Sequence, residues 1–128
     1  MAKAKKAKAA YADGYLIAVP KKNIQAYRRM SQKAGEIWKE FGALDYKECV
    51  GDDIDVSYGV TFADRLKGKR GEVPVFSWIT YKSKADRDKI NKKVMADPRL
   101  ASMMDPKKSP FDVKRMTYGG FKILVDLG

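Results

Sequence analysis

Val73-Pro-Val-Phe-Ser-Trp-Ile-Thr-Tyr81 is the stretch that decides the fold. Side chains of an extended strand alternate between its two faces, so Val73, Val75 and Ile79 point one way and Phe76 and Trp78 the other. Both faces are apolar, and Pro74 sits near the start, where a missing N–H does least harm. Gly14-Tyr-Leu-Ile-Ala-Val19 reads the same way, with Tyr15, Ile17 and Val19 opposing Leu16 and Ala18 before Pro20 stops it. Strands of this kind need cover on both faces.

Outward from these strands the pattern changes to helical spacing. Ile24, Tyr27, Met30, Ala34, Ile37, Trp38 and Phe41 recur at steps of three and four, with Asn23 as an N-cap and Gly42 as a stop. Residues 43–50 alternate, Leu44, Tyr46, Glu48 and Val50 against Asp45, Lys47 and Cys49, as expected of an edge strand with one wet face. Residues 51–71 open with Asp52, Asp53 and Asp55, pass through one helical turn near 62–66 and end at Gly68-Lys-Arg-Gly71. Ser83-Lys-Ala-Asp86 resembles a capping box, starting a helix through Ile90 and Val94 that Asp97-Pro98 ends. A further turn at 100–104 and a loop at 105–112 lead to a last strand over 115–127, in which Gly119-Gly120 is expected to form a bulge.

The order β-α-β-β-α-β predicts an α+β, ferredoxin-like domain with a four-stranded antiparallel sheet over residues 12–128, preceded by a basic flexible tail at 1–11. The tail carries Lys3, Lys5, Lys6 and Lys8 without an apolar stripe, so it is expected to be dispensable for folding. Two helices cover only one face of such a sheet. At roughly 25 cal/mol per Å² of apolar surface, leaving Phe76 and Trp78 in water forgoes several kcal/mol. A second identical sheet would cover them with two-fold symmetry, so a homodimer is expected; the loops at 51–71 and 98–114 folding over that face are the alternative.

Composition excludes much chemistry. The chain has 128 residues, 45% apolar and 34% charged, a globular balance with no apolar run near the roughly 20 residues that span a bilayer. Its N-terminal run lacks the apolar segment of a secretory signal, which points to the cytoplasm. With no histidine and Cys49 as the only cysteine, the common zinc and iron sites, His-ligated haem, Ser-His and Cys-His pairs and an intrachain disulfide are excluded. No metal or other cofactor is therefore expected. The net charge of +11 suggests nucleic acid at first sight, but four of the 27 bases lie in the tail. The remaining 23 face 16 acids, a body charge of +7 interspersed with acids, and no RNA-recognition, KH or zinc-finger signature is present.

For a site, Lys114-Arg-Met-Thr-Tyr-Gly-Gly-Phe121 offers Arg115 as a forked cation, Tyr118 as a hydroxyl and two glycines that admit close approach. Trp78 and Tyr15 add flat apolar walls. Together Trp78, Arg115, Tyr118 and Tyr15 would suit a small anionic or aromatic ligand, provided Trp78, Arg115 and Tyr118 face one cavity. The structural alternative gives Arg115 to Asp112 as an ion pair and the aromatic rings to packing, and it is the more ordinary use of such residues. Tyr46 beside Trp78 and Tyr15, and Cys49 as a thiol beside Lys47, carry the same two readings. Asp52, Asp53 and Asp55 lack the glycine and closing glutamate of an EF-hand loop and read as a solvated turn.

Several stretches resemble the bacterial YbaA-like proteins, domain-of-unknown-function family 1428: Asp13-Gly-Tyr15, Val19-Pro20, Tyr27-Arg-Arg-Met30, Gly42-Ala-Leu44, Glu48-Cys49, Val75-Phe-Ser-Trp-Ile79, Tyr81-Lys-Ser83 and Asp97-Pro-Arg99. Met104-Asp-Pro106, Pro110-Phe-Asp112 and Lys114-Arg-Met116 with Tyr118-Gly-Gly-Phe121 continue it, so the resemblance spans residues 12–127, loosest at 56–69. It implies the dimeric α+β-barrel superfamily and no activity. Relatives there include haem-degrading enzymes, cofactor-independent monooxygenases and small isomerases; those that depend on histidine do not apply to this chain. Three functions are therefore carried forward: a dimeric small-ligand binder, a cofactor-independent monooxygenase or isomerase, and a nucleic-acid-associated accessory protein.

Overall fold

Four antiparallel strands, β1 (Tyr11–Pro20), β2 (Asp45–Val50), β3 (Glu72–Tyr81) and β4 (Thr117–Lys122), form one sheet in the order β2-β3-β1-β4. The computed structural model describes residues 8–128. Helices α1 (Ile24–Glu40), α2 (Phe62–Arg65), α3 (Lys84–Ala96) and α4 (Pro98–Met103) complete the chain order. Among the described residues no helix is long and apolar enough to cross a membrane.

The two-faced strands occupy the centre. β1 and β3 pair over ten residues, from Tyr11↔Tyr81 to Pro20↔Glu72, and β2 and β4 flank them as edges. Ile17, Val19, Val75 and Ile79 are buried beneath α1 and α3, where Tyr27, Ala34, Ile37, Trp38, Ile90 and Val94 meet them. Ser83 caps α3 by accepting from the Asp86 N–H at 3.0 Å. Gly42, at φ +117°, ends α1 in a conformation that other residues rarely adopt. Asn23 precedes α1 without capping it, because its amide donates to the Pro110 carbonyl at 2.9 Å and fastens the loop there instead.

Three boundaries differ from the sequence pattern. The sheet ladder reaches back into the stretch assigned to the tail: Ala10 donates to the Tyr81 carbonyl at 2.9 Å and accepts from the Ile123 N–H at 3.0 Å, and Tyr11 is buried. Residues 1–7, with most of the lysine run, lie outside the described residues. β4 is shorter than expected, and Arg115 falls in a 3₁₀ turn before it. Gly119-Gly120 makes no bulge, since the register runs without interruption from Leu16↔Thr117 to Tyr11↔Lys122. Gly120 serves clearance: a Cβ there would collide with the Tyr11 hydroxyl and the Arg87 guanidinium.

That clearance serves a buried ion pair. Asp13, on β1, has no exposed surface, and its Oδ1 faces Arg87 Nε of α3 at 3.6 Å. Asn91, one turn on, donates to Asp13 Oδ2 at 3.4 Å while accepting from Trp38 Nε1 at 3.0 Å and the Tyr81 hydroxyl at 3.2 Å. Those two donors fix which way the amide points. Arg87 further donates to the hydroxyls of Tyr11 and Tyr118 and lies over the Tyr11 ring, 5.0 Å from its centroid. Burial raises the Asp13 carboxyl pKa above the usual carboxylate range, with Arg87 opposing. Asp13→Ala should cost about 3 kcal/mol in urea unfolding, because it strands a largely buried guanidinium. A loss below about 1 kcal/mol would show that the pair is dispensable.

Candidate functional site

A groove of about 650 Å³ lies between edge strand β2 and helix α1, lined by residues including Tyr27, Ser31, Gly35, Tyr46, Glu48 and Val50. A second chamber of about 130 Å³ continues inward under α4 and the 104–116 loop, among Tyr15, Trp38, Met103, Phe111 and Met116. Tyr27, Ser31, Tyr46 and Glu48 belong to both spaces, so they form the wall between mouth and interior.

Glu48 is the carboxylate at that wall. Its two carboxylate oxygens accept from the Tyr27 hydroxyl at 2.7 Å and the Tyr46 hydroxyl at 2.9 Å. One donor comes from α1 and the other from β2, so the carboxylate is gripped from two elements. Burial first, and then the charge of Glu48, push the pKa of both tyrosines far above the usual phenol range; they remain neutral donors. A carboxylate offers about four acceptor positions, so two strong donors leave capacity for a further N–H or O–H. Gly35 makes the arrangement fit. A Cβ at that position would lie 2.6 Å from the Tyr46 ring.

The residues singled out from sequence divide. Tyr15 and Tyr118 face each other across β1 and β4 with ring centroids 5.0 Å apart, on the helix side of the sheet. Trp78 lies on the opposite face, where its ring neighbours Phe76 at 5.4 Å. Arg115 stands at the far end of β3, bonded to both carboxylate oxygens of Glu72 at 2.6 and 2.9 Å and to the Lys67 carbonyl at 3.1 Å. Six residues separate Glu72 from Trp78, roughly 20 Å along a strand. The four side chains therefore do not share a cavity, and the ion pair with Arg115 belongs to Glu72, whose carboxyl pKa it lowers. Tyr15 alone among them lines the inner chamber. Cys49 is an exposed free thiol on β2, facing the same side as Phe76.

Glu48 and Tyr27 are not among the residues that the sequence suggests for a site, although it carries a signal for one of them. In residues 43–50 the apolar row is Leu44, Tyr46, Glu48, Val50, and a carboxylate in such a row demands a partner or a ligand.

The fold and site define a ferredoxin-like α+β protein with a pocket between its sheet and first helix. A NIPSNAP domain protein from Burkholderia xenovorans has the same fold, with TM-score 0.60 at 13% identity over 92% of this chain and 97% of that one. A nipsnap family protein from Agrobacterium tumefaciens gives 0.58 at 17%, covering 90% and 88%. A dimeric ferredoxin-like protein from an uncultured marine organism gives 0.52 at 10%, covering 94% and 100%. At the level of sequence the chain belongs to the family described as Protein of unknown function (DUF1428), whose model matches residues 10–113. It is 44% identical to the uncharacterized protein YbaA of Escherichia coli K12 over 116 residues, 91% of this chain and 97% of that one. YbaA of Shigella flexneri matches with the same identity and coverage.

Gly35→Ala tests the geometry of the site. An alanine would normally gain about 1 kcal/mol in a helix interior. Here the collision with Tyr46 should outweigh that gain and make the variant net destabilised by about 1 kcal/mol, as overpacking does. A stabilised Gly35→Ala protein would show that Tyr46 is free to move and that the grip on Glu48 is loose.

Proposed function

We propose that this protein is a homodimer that binds a small, single-ring ligand in the pocket between α1 and the sheet, with Glu48 as its polar anchor. The observation that carries the reading is a carboxylate held by two tyrosine hydroxyls on the wall of a mainly aromatic and apolar cavity. An apolar cavity of about 150 Å³ admits benzene, and the inner chamber of about 130 Å³ is on that scale. Because the anchor is an acceptor, the ligand should bring a donor: a phenol or an aromatic amine, rather than the anion that Arg115 would have selected.

Calorimetric titration with tyramine, phenol and benzoate separates these cases. Tyramine and phenol should bind, benzoate should not, and Glu48→Gln should weaken tyramine at least about tenfold, equivalent to 1.4 kcal/mol. Preferential binding of benzoate, or no saturation by any of the three at millimolar concentration, would overturn the assignment.

The homodimer is supported by the second sheet face. Phe76 is 46% and Phe121 61% exposed there, beside Leu16 and Trp78, although Phe62 of α2 reaches over from the loop, 6.3 Å from Phe76. That loop cover leaves large aromatic surface in water, which a partner sheet would remove. The marine ferredoxin-like neighbour is described as dimeric. A cytoplasmic location fits the free Cys49 thiol. Light scattering at micromolar concentration should return twice the chain mass, and Phe76→Lys should return the chain mass with the fold retained. A wild-type monomer would mean that the loop cover suffices.

A further inference from the structure

We propose that Tyr15 and Ser77 form a second polar subsite on the floor of the inner chamber, so that the ligand is a single ring with a donor at one end and a carbonyl-type acceptor at the other. The inference rests on the pocket reading above and adds the second half of the ligand's chemistry.

The register of the sheet carries it. Glu48 lies opposite Ser77, Ser77 opposite Tyr15, and Tyr15 opposite Tyr118, so one row of side chains crosses all four strands from edge to edge. Directly paired residues project from the same face, and this row stands on the face that α1 and α3 cover. Every member carries a side-chain oxygen, whereas Val75 and Ile79, which flank Ser77 on that face of β3, are apolar and buried.

The two ends of the row are satisfied. Glu48 accepts from Tyr27 and Tyr46, and the Tyr118 hydroxyl accepts from Arg87 at 3.2 Å. The two middle members are not. Among the described residues neither the Tyr15 nor the Ser77 hydroxyl makes a hydrogen bond. The fully enclosed side-chain polar atoms left unbonded there are Asp13 Oδ1 and Arg87 Nε, so these two hydroxyls reach open space. Ser77 is only 5% exposed, and both residues line the inner chamber. Ser31 lines it too, but its hydroxyl donates to the Tyr27 carbonyl at 2.6 Å. A hydroxyl held away from bulk water without a partner is unfavourable, and whatever occupies the cavity completes it.

Tyr15 acts as a donor. Burial first, and then the neighbouring Asp13, Tyr118 and Glu48, push its pKa far above the usual phenol range, so the hydroxyl keeps its proton. A neutral phenol donates to a carbonyl oxygen, whereas the Glu48 carboxylate requires an N–H or O–H. Two strand spacings, roughly 10 Å, separate the backbones of Glu48 and Tyr15. The anchors thus stand at opposite ends of the chamber floor and match para substituents on a ring. The ligand class is a para-amino or para-hydroxy aryl carbonyl compound.

4-Aminobenzonitrile and 4-ethynylaniline test this directly. Both are neutral aromatic amines of nearly the same shape, and only the nitrile ends in an acceptor. Calorimetry on the full chain should show the nitrile binding about fivefold more tightly, the scale of one hydrogen bond. Tyr15→Phe combined with Ser77→Ala should bring the nitrile down to the affinity of 4-ethynylaniline, and Glu48→Gln should weaken both compounds. The infrared nitrile stretch should move to higher frequency on binding the wild type and not the double variant, a signature that altered packing does not produce. Equal affinity for the two compounds, with both weakened by Glu48→Gln, would overturn the second subsite and leave the Glu48 pocket standing. A nitrile preference that survives in the double variant would overturn the assignment to Tyr15 and Ser77. No binding of either compound at millimolar concentration would overturn both readings.

Discussion

A carboxylate at the centre of the sheet organises the helix layer. Asp13 sits on β1, the strand that pairs with both β3 and β4, and it has no contact with water. A buried charge of this kind is tolerable only when paired and hydrogen-bonded, so α3 must present Arg87 and Asn91 over that one point. Asn91 in turn engages Trp38 of α1 and Tyr81 of β3, so the demand of one carboxylate ties both long helices and the two central strands to a common position. Gly120 follows from the same constraint, since Arg87 and Tyr11 occupy the space a side chain would need.

With the helices so placed, the sheet edge determines the pocket. α1 packs closely on β2 at Tyr46, whose ring fits there only because position 35 carries no side chain, and the groove opens beside that contact. Glu48 is then left half-buried between two tyrosines whose hydroxyls donate to its two oxygens. Such an acceptor beside aromatic walls discriminates by hydrogen-bond polarity as much as by shape, because an anion brought there would meet like charge at short range. The opposite face of the sheet carries polar groups at one end of β2, where Asp45 accepts from the Thr80 hydroxyl at 2.7 Å. Phe76, Trp78 and Phe121 also lie on that face, so the pocket and this partly exposed aromatic surface are on different sides of one sheet.

The first and third strands, both long helices and the α+β order were legible because each rests on local periodicity. Val73 to Tyr81 can only be a strand with two apolar faces, and Ile24 to Phe41 only an amphipathic helix. The edges were less legible. β4 stops at Lys122, opposite the first residue of β1, although the apolar pattern that suggested a longer strand continues through Leu127. The bulge expected at Gly119-Gly120 fails for a related reason: glycine is also required where a neighbouring side chain crosses closely, and sequence does not distinguish the two uses.

Sequence by itself determined the element types, the excess of apolar faces over helices to cover them, and the absence of histidine chemistry, since these depend on composition and on spacing within single elements. Tertiary structure decided which polar groups meet. Arg115 joined Glu72, 43 residues away, instead of facing a ligand with Trp78. Tyr27 and Glu48, 21 residues apart, came together across a helix and an edge strand. Period-two alternation assigns a side chain to a face but leaves its position along the strand, and the identity of what packs over it, to the register between strands and the docking of helices. Those are properties of the folded chain, and the site is made of them.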